Sequence, residues 1–483
     1  MRFYFSIFLL FISARLFSIT TDSGINYYNY ENDSIIQSDT LNKTDYFIIN
    51  KIDISGNKKT KPYIITRELQ FHQSDTVFKC NISKLLKQSQ ENIFNTSLFN
   101  FVTIDTNIIS INLIDINIDV IERWYLWPFP VFEFADRNFN SWLKDSDFSK
   151  LNYGLFLNQE NFRGRNETLK LLLRFGYEQR YAVFYEAPYI NKKQTLGIAI
   201  DAGYAQSHEV PVSTINDTLH FFKDENIYPK KVFFSGFSLI HRKSIYNTHY
   251  LSLSFSDYKF ADTLLKISQD YSFQNQTEVK FLSLIYKYKS DFRDYKHYPL
   301  NGYYFDVEVT KTGLGLFDRI DLFSLQSTFR KFWKLSNRFY YASGLTAKFS
   351  SIAFQPYFIQ RGLGYERDFV RGYEYYVIDG QSFGLLKTNL KYELLSKKVT
   401  TINFIKTQKF NKIYYSFYLN LFTDLAFVED NQFFKNNSLS NELLVGYGVG
   451  LDFVTYYDVV VRLELSINRL GEKGVFIHFQ API

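Results

Sequence analysis

Sulfur-containing residues are almost absent from the sequence, which has one cysteine, Cys80, and one methionine in 483 residues. A single cysteine cannot form an internal disulfide, and no Cys/His grouping has the spacing of zinc ligands. Long apolar runs are absent too, because no segment has the 18 or more consecutive apolar residues of a transmembrane helix. We therefore expect no metal, no cofactor and no membrane-spanning helix, so that any contact with a membrane would be made by a β-barrel.

Charge and motif content exclude two further classes of function. The net charge of +6 is spread along the chain without a compact Lys/Arg block, so we expect no nucleic-acid partner. Neither a glycine-rich phosphate loop nor a nucleophile elbow is present. Histidines such as His208, His220 and His297 lack the Ser/Asp pattern of a catalytic site. The sequence therefore predicts a protein that is not an enzyme.

Aromatic residues are what the sequence has in excess. With 51 Phe and 38 Tyr they reach 19% of the chain, while the mean hydropathy is only -0.20. Many short, aromatic, alternating segments are typical of a large soluble sheet protein or of a membrane barrel with aromatic girdles.

The N-terminus has the pattern of an export signal. Met1 and Arg2 supply a positive start, and residues 3–12 form an apolar run that is too short to span a bilayer. We predict a signal peptide at residues 1–18 and a flexible polar linker at residues 19–45. The protein is therefore expected to be exported.

Residues 46–124 have the pattern of a small α+β domain. We predict a strand at residues 47–54, a first helix capped by Thr60 with Pro62 in its first turn, and a second helix at residues 81–95. Strands at residues 99–105 and 113–122 follow. This order, with its Ile-x-Ile-x-Gly-Asn opening, resembles a polypeptide-transport-associated (POTRA) domain; the alternative is an unrelated small α+β domain.

Residues 125–483 alternate between apolar and polar positions nearly to the end. Leu169, Leu171 and Leu173 share one face of a segment whose other face carries Lys170 and Arg174. A soluble sandwich with its apolar face inward is the alternative, but many strands charged on one face favour lipid outside and water inside. We count about sixteen strands, beginning near residues 130, 151, 168, 181, 195, 231, 248, 276, 302, 321, 338, 382, 412, 443, 459 and 474.

This count places the tetrapeptide Val370-Arg-Gly-Tyr373 in a long segment between the eleventh and twelfth strands. With the N-terminal domain in the periplasm, that segment is the sixth loop outside the cell. Other local features are Glu160-Asn-Phe-Arg-Gly164, Glu186-Ala-Pro188, Phe422-Thr-Asp424 and Gly446-Tyr-Gly-Val-Gly450.

Together these features resemble the BamA/TamA family of outer-membrane assembly and translocation barrels, the bacterial surface antigens. The resemblance covers roughly residues 47–483. It implies an all-β membrane protein, a transmembrane barrel of about 16 strands preceded by one POTRA-like periplasmic domain. The implied partners are outer-membrane lipids, unfolded outer-membrane or secreted protein clients, and accessory periplasmic or lipoprotein subunits. A single POTRA-like unit points to a specialised or accessory member.

The resemblance also implies that the sixth loop folds into the barrel lumen and that Arg371 meets an acidic residue on the inner wall. Strand alternation makes Asp424 the first candidate partner and Glu393 the second, because both point inward. Gly446, Gly448 and Gly450 also point inward, and three missing side chains would make room for the loop. The alternative is that Arg371 is solvated and that the glycines only bend their strand.

Two functions remain open at this point. One is insertion or export of polypeptide through a barrel whose first and last strands form a lateral seam. The predicted last strand is short and contains Pro482, which cannot donate a ladder hydrogen bond, so the seam would be easier to open. The other is a gated outer-membrane channel or a surface receptor without insertase activity.

Overall fold

A computed structural model describes residues 45–134, 151–317, 320–351, 354–365 and 368–479. The predicted signal peptide and all but the last residue of the predicted linker lie outside these residues. Within the described ranges, no helix has the length and apolar character needed to cross a membrane.

The N-terminal domain is a four-stranded sheet packed against two helices. Its strands are β1 (Tyr46–Ser55), β2 (Thr76–Phe78), β3 (Phe99–Ser110) and β4 (Leu113–Glu122), in the order β2-β1-β4-β3, with β1 and β4 parallel. Helices α1 (Pro62–Thr66) and α2 (Lys79–Phe94) cover the sheet. The core contains the alternating isoleucines Ile114, Ile116 and Ile118 of β4, as a sheet with one wet face requires.

The predicted helix cap at Thr60 is wrong. The residue before α1 is Lys61, and no side chain caps the helix, although Pro62 does lie in its first turn. The Thr60 hydroxyl instead lies 3.0 Å from the Tyr125 hydroxyl and accepts a hydrogen bond from Asn161 Nδ2 at 2.8 Å. Thr60 therefore connects the N-terminal domain to the large sheet that follows it.

Among the described residues after the N-terminal domain, sixteen strands form one antiparallel barrel sheet in which each strand pairs with its neighbours along the sheet. This confirms the predicted strand number. The barrel strands are β5 (Leu126–Phe134), β6 (Leu151–Phe162), β7 (Glu167–Gly176), β8 (Glu178–Ala187), β9 (Leu196–Ser207), β12 (Lys230–His241), β13 (Asn247–Phe260), β14 (Glu278–Asp291), β15 (Gly302–Thr312), β16 (Leu322–Lys334), β17 (Phe339–Ser350), β18 (Ser382–Thr401), β19 (Lys412–Glu429), β20 (Leu444–Thr455), β21 (Val459–Asn468) and β22 (Lys473–His478).

Short elements lie in the connections between these strands. A separate hairpin, β10 (Glu209–Ile215) with β11 (Thr218–Lys223), occupies the loop between β9 and β12. Helix α3 (Asp262–Ile267) follows β13, and α4 (Gln408–Asn411) precedes β19. We call the barrel end that faces the N-terminal domain the domain end, and the opposite end, which carries the loop of Arg371, the far end.

The outer face of the barrel is apolar and the inner face is polar. On β19, Leu421 is 54% exposed while Asn420 and Asp424 are buried; on β21, Leu465 is 54% exposed while Glu464 is buried. A soluble protein would turn these leucines inward, because burying a leucine side chain stabilises a fold by roughly 1.5–3 kcal/mol. The reversed pattern is that of a transmembrane barrel with lipid outside.

The two ends of the sheet are β5 and β22. Among the described residues, β5 pairs only with β6, and β22 pairs only with β21. The β21–β22 ladder is short, running from Arg462 to Ile467 on the β21 side. The described parts of β5 and β22 are therefore edge strands that carry no ladder between them.

Candidate functional site: the arginine loop inside the barrel

The loop between β17 and β18 folds back onto the inner wall near the far end. Its two arms bridge at Leu363 and Ile378, and a tight turn closes at Val370-Arg-Gly-Tyr373, where the Tyr373 N–H donates to the Val370 carbonyl at 3.1 Å. Gly372 has φ +92°, a conformation that strains any residue with a side chain. Val370 and Tyr373 pack into an apolar cluster with residues of β18, β19 and β20. The turn thereby directs Arg371 into the wall.

The Arg371 guanidinium is fully buried and every one of its nitrogens has a partner. Nε lies 2.9 Å from Asp424 Oδ2 and Nη2 lies 2.5 Å from Asp424 Oδ1, a bidentate pair. Nη1 donates to Asn389 Oδ1 at 2.7 Å and lies 3.5 Å from Glu464 Oε1, and Nη2 also donates to the Thr388 carbonyl. The Arg371 carbon Cζ lies 4.0 Å from the centre of the Phe422 ring.

This geometry fixes the depth of the loop in the barrel. The backbone N–H of Arg371 also donates to Asp424 Oδ2 at 3.1 Å, so one carboxylate holds both the main chain and the side chain. Asn468 Nδ2 donates to the Gly372 carbonyl at 3.0 Å from β21. The loop therefore bonds to β18, β19 and β21, three of the five strands nearest the end of the sheet.

Asp424 and Glu393, the two predicted partners, are placed differently by the structure. Asp424 bonds Arg371, whereas the described contacts of Glu393 are with Tyr340, whose hydroxyl lies 3.3 Å from Oε2, and with the Arg338 carbonyl through its own N–H. Glu393 follows Asn389 by four residues along β18, which is roughly 13 Å of strand. The prediction of Glu393 as the second partner of Arg371 is therefore corrected, because Glu393 lies too far toward the domain end of the barrel.

The three inward-pointing glycines differ in what lies next to them. A Cβ at Gly446 would lie 1.8 Å from the Arg371 carbonyl oxygen, so this position admits only glycine while the loop is in place. The nearest atoms at Gly448 belong to Leu465, Phe422 and Ser466, and those at Gly450 to Glu464, Leu463 and Asn420. The expectation that all three pack against the loop is thus corrected to Gly446 alone.

Three further residues of the site were not predicted. Asn389 and Glu464 both bond the guanidinium and both occupy inward positions of their strands. Alternation placed them on the polar face, but nothing in the sequence indicates how deep the loop reaches. Asn468, which holds the Gly372 carbonyl, was missed for the same reason.

The domain end of the lumen is covered by the β14–β15 turn and by the N-terminal domain. Tyr298 of that turn is buried, and its hydroxyl donates to Asp452 Oδ2 at 2.6 Å. Arg123 pairs with Asp458 in the β20–β21 turn at 2.6 and 2.9 Å, and Arg242 in the β12–β13 turn pairs with Glu68 at 2.7 and 2.8 Å. The domain therefore rests on turns from opposite sides of the barrel mouth.

Comparisons with known proteins agree with the N-terminal assignment. The POTRA family model, described as "Surface antigen variable number repeat", matches residues 47–123. The POTRA-like domain predicted from the sequence is thereby confirmed, and with the sixteen-stranded sheet it is consistent with the BamA/TamA resemblance. Among curated proteins, none matches this chain.

Solved structures of two kinds of barrel are similar to this chain. BamA from Haemophilus ducreyi lacking POTRA domains 1-3 has 14% identity and a TM-score of 0.48, with 90% of this chain and 83% of that chain covered. CdiB from Escherichia coli has 10% identity and a TM-score of 0.47, with 96% and 92% covered. CdiB from Acinetobacter baumannii has 14% identity and a TM-score of 0.43, with 90% and 73% covered.

Proposed function

We propose that this POTRA-bearing barrel, which resembles the BamA/TamA family, inserts or exports polypeptide at the bacterial outer membrane through a lateral seam between β5 and β22. The observation that carries the proposal is the absence of a ladder between the described parts of these two strands. An edge strand presents a row of unpaired N–H and C=O groups that can pair with an incoming strand. A client would therefore add to the sheet at this edge.

The arginine loop supports the proposal because it holds the wall beside the seam. It bonds to β18, β19 and β21 and packs on Gly446 of β20. Among the described residues, the backbone ladder of β22 is the short one to β21, and its His478 side chain also contacts the loop at Phe369 and Glu374. Movement would then be concentrated at β22 while the neighbouring strands stay in register. The buried Arg371–Asp424 pair holds the loop in a fixed position against this part of the wall.

The POTRA domain offers a second edge for extended clients. β3 lies at the edge of its sheet, and the apolar side chains at its end are exposed, with Ile111 just beyond it at 82%. Ile108 and Ile109 of β3 are exposed as well. Exposed apolar residues on an unpaired edge are suited to bind an unfolded segment by strand addition. The domain would hold a client below the barrel mouth.

The proposed location is based on the apolar outer face of the barrel and on the POTRA domain at its mouth. Under the proposal, lipid surrounds the apolar outer band of the barrel, and the barrel end that carries the POTRA domain lies in the periplasm. Partners under this proposal are outer-membrane lipids, unfolded outer-membrane or secreted protein clients, and accessory periplasmic or lipoprotein subunits. A steadily open channel is disfavoured because the Arg371 loop and the Tyr298 turn both occupy the lumen.

A seam lock tests the proposal in liposomes. One cysteine is introduced in β5 and one in β22 of a Cys80→Ser protein, because Cys80 is a free, exposed thiol that would otherwise mispair. Folding of an added barrel client and ion conductance are measured together. We expect the reduced protein to accelerate client folding and the oxidised protein to lose that acceleration.

The matched control is a lock between strands that already pair. Val449 of β20 lies directly opposite Leu465 of β21, so a cysteine pair at these positions should form without changing client folding. If clients fold no faster than in empty liposomes while a steady conductance survives the β5–β22 lock, the protein is a channel and the proposal fails.

A further inference from the structure

Three potential metal ligands meet beside the arginine loop. Glu374 comes from the loop, Glu464 from β21, and His478 from the end of β22, and their donor atoms all lie within 4.8 Å of one another. His478 Nε2 lies 3.5 Å from Glu374 Oε1 and 3.4 Å from Glu464 Oε2. Two donors that bind one tetrahedral zinc ion at about 2.0–2.1 Å are themselves about 3.3 Å apart. The two distances from His478 to the carboxylates thus fit a shared ion.

Each carboxylate uses one oxygen to fix its orientation and directs the other to the histidine. Glu374 Oε2 accepts the Gly372 N–H at 2.9 Å, and Oε1 lies on the side of His478. Glu464 Oε1 lies 3.1 Å from Arg462 Nε and 3.5 Å from Arg371 Nη1. Such outer contacts orient metal ligands in known sites.

The second oxygen of Glu464 is the observation that points to a ligand. Glu464 is fully buried, and among the described residues its Oε2 has no hydrogen-bond donor. A buried carboxylate oxygen without a donor costs free energy, because its water shell is not replaced. The imidazole is held in place by stacking on Phe369, with ring centres 5.2 Å apart. A cation between these groups would satisfy that oxygen.

We propose that Glu374, Glu464 and His478 bind one divalent ion of the zinc class, with water as the fourth ligand. One imidazole and two carboxylates form a donor set that suits Zn²⁺, whereas Ca²⁺ and Mg²⁺ require about six oxygen ligands. The ion would join the last strand to β21 and to the arginine loop. Its binding is a property of the site itself and does not depend on the proposed function.

Zinc titration of the full chain tests the site. The protein carries Cys80→Ser and no polyhistidine tag, is folded in detergent, is stripped with a chelator and is titrated with ZnCl₂ by calorimetry. We expect one equivalent to bind, and His478→Gln and Glu374→Gln each to weaken binding by about 100-fold or more. Gln at position 374 can still accept the Gly372 N–H, so the turn should be retained.

A histidine outside the site supplies the matched control. His220 is exposed on β11, and His220→Gln should bind zinc as the parent protein does. Folding of every variant is checked by its heat-dependent migration on a denaturing gel. Zinc should also raise the temperature at which the parent barrel unfolds, and should not do so for His478→Gln.

Two results would overturn the site. One is the absence of stoichiometric binding by the folded parent protein, as expected if His478 instead shares a proton with the two carboxylates. The other is equal zinc affinity in the parent and in His478→Gln, which would place the ion elsewhere. Neither result involves a client, so a failed titration leaves the seam proposal standing, and a failed client assay leaves the metal site standing.

Discussion

At the scale of single residues, loss of the Arg371 side chain should destabilise the barrel. Arg371→Ala leaves the Asp424 carboxylate buried without its cation, and breaking a buried pair in this way costs roughly 3–5 kcal/mol. Arg371→Lys keeps the charge but not the bidentate geometry, so an intermediate loss is expected. Urea unfolding of the barrel in lipid vesicles measures both effects.

The control for these variants is Arg338→Lys, at an exposed turn residue of the domain end, where a change within about 0.5 kcal/mol is expected. A second check is Arg371→Ala combined with Asp424→Asn. Because the two side chains form one pair, the double variant should lose less stability than the sum of the single losses. Additive losses would show that the contact is not what holds the loop.

The residues of this site also show what a sequence can reveal. Asp424 could be chosen because strand alternation places it inward on a polar face. To choose between Asp424 and Glu393, one must know how far the loop reaches into the barrel. In the structure Arg371 reaches the level of Lys387, which lies opposite Asp424 in the ladder. The contacts of Glu464 and Asn389 with Arg371 could not be predicted without knowing this same depth. Contacts between segments so far apart in the chain leave no local pattern.

At the scale of elements, the close approach of the loop to β20 predicts different outcomes for two glycines. Gly446→Ala would place a methyl group 1.8 Å from the Arg371 carbonyl oxygen, so the loop must move. Gly384→Ala on β18 meets no atom within 4 Å. We expect tryptic cleavage between residues 361 and 371 to accelerate in the first variant only. Equal cleavage in the two variants would contradict the packing described here.

Strand boundaries were predictable where turn residues flank an alternating run. β15, β18, β19 and β21 begin at the residues predicted for them, and Gly302 with its φ of +106° marks one such start. β5 begins at Leu126 and not near Pro130 as predicted. The predicted start is too late because prolines such as Pro128 and Pro130 ordinarily interrupt a strand, whereas an edge strand tolerates proline. The three-residue β2 and the β10–β11 hairpin were missed, since short strands in loops carry too little alternation to be detected.

At the scale of the whole molecule, two ion pairs fix the POTRA domain under the barrel, and no pattern within either domain predicts them. Arg123 lies at the end of the domain and Asp458 in a barrel turn, while Glu68 of the domain pairs with Arg242 of another turn. Burial alone would raise the pKa of the Asp458 carboxyl, but Arg123 outweighs burial and holds that pKa well below its usual range. Arg242 likewise lowers the pKa of Glu68 against the effect of burial.

These shifts predict that the domain leaves the barrel in acid. Carboxyls whose pKa is lower in the docked state favour docking at pH values above their ordinary pKa of about 4, and that preference is lost as the pH falls further. His297 faces the same carboxylate at 3.1 Å, and burial lowers its pKa, so it contributes little positive charge at neutral pH. Asp458→Asn removes the charge at every pH and should loosen the domain even at about pH 7.5.

Spin labels on Cys80 of the domain and on Lys193→Cys of an exposed barrel turn report the docking. The distance distribution should be narrow at about pH 7.5 and should broaden progressively as the pH falls below about 4, because the undocked state then binds protons that the docked carboxylates do not. Asp458→Asn should broaden it at the higher pH. Asp53→Asn, which breaks an exposed Lys51–Asp53 pair on β1 with no barrel partner among its described contacts, should leave it narrow. An unchanged distribution in acid, or equal broadening by the two Asn variants, would mean that the two ion pairs are not what holds the domain at the barrel mouth.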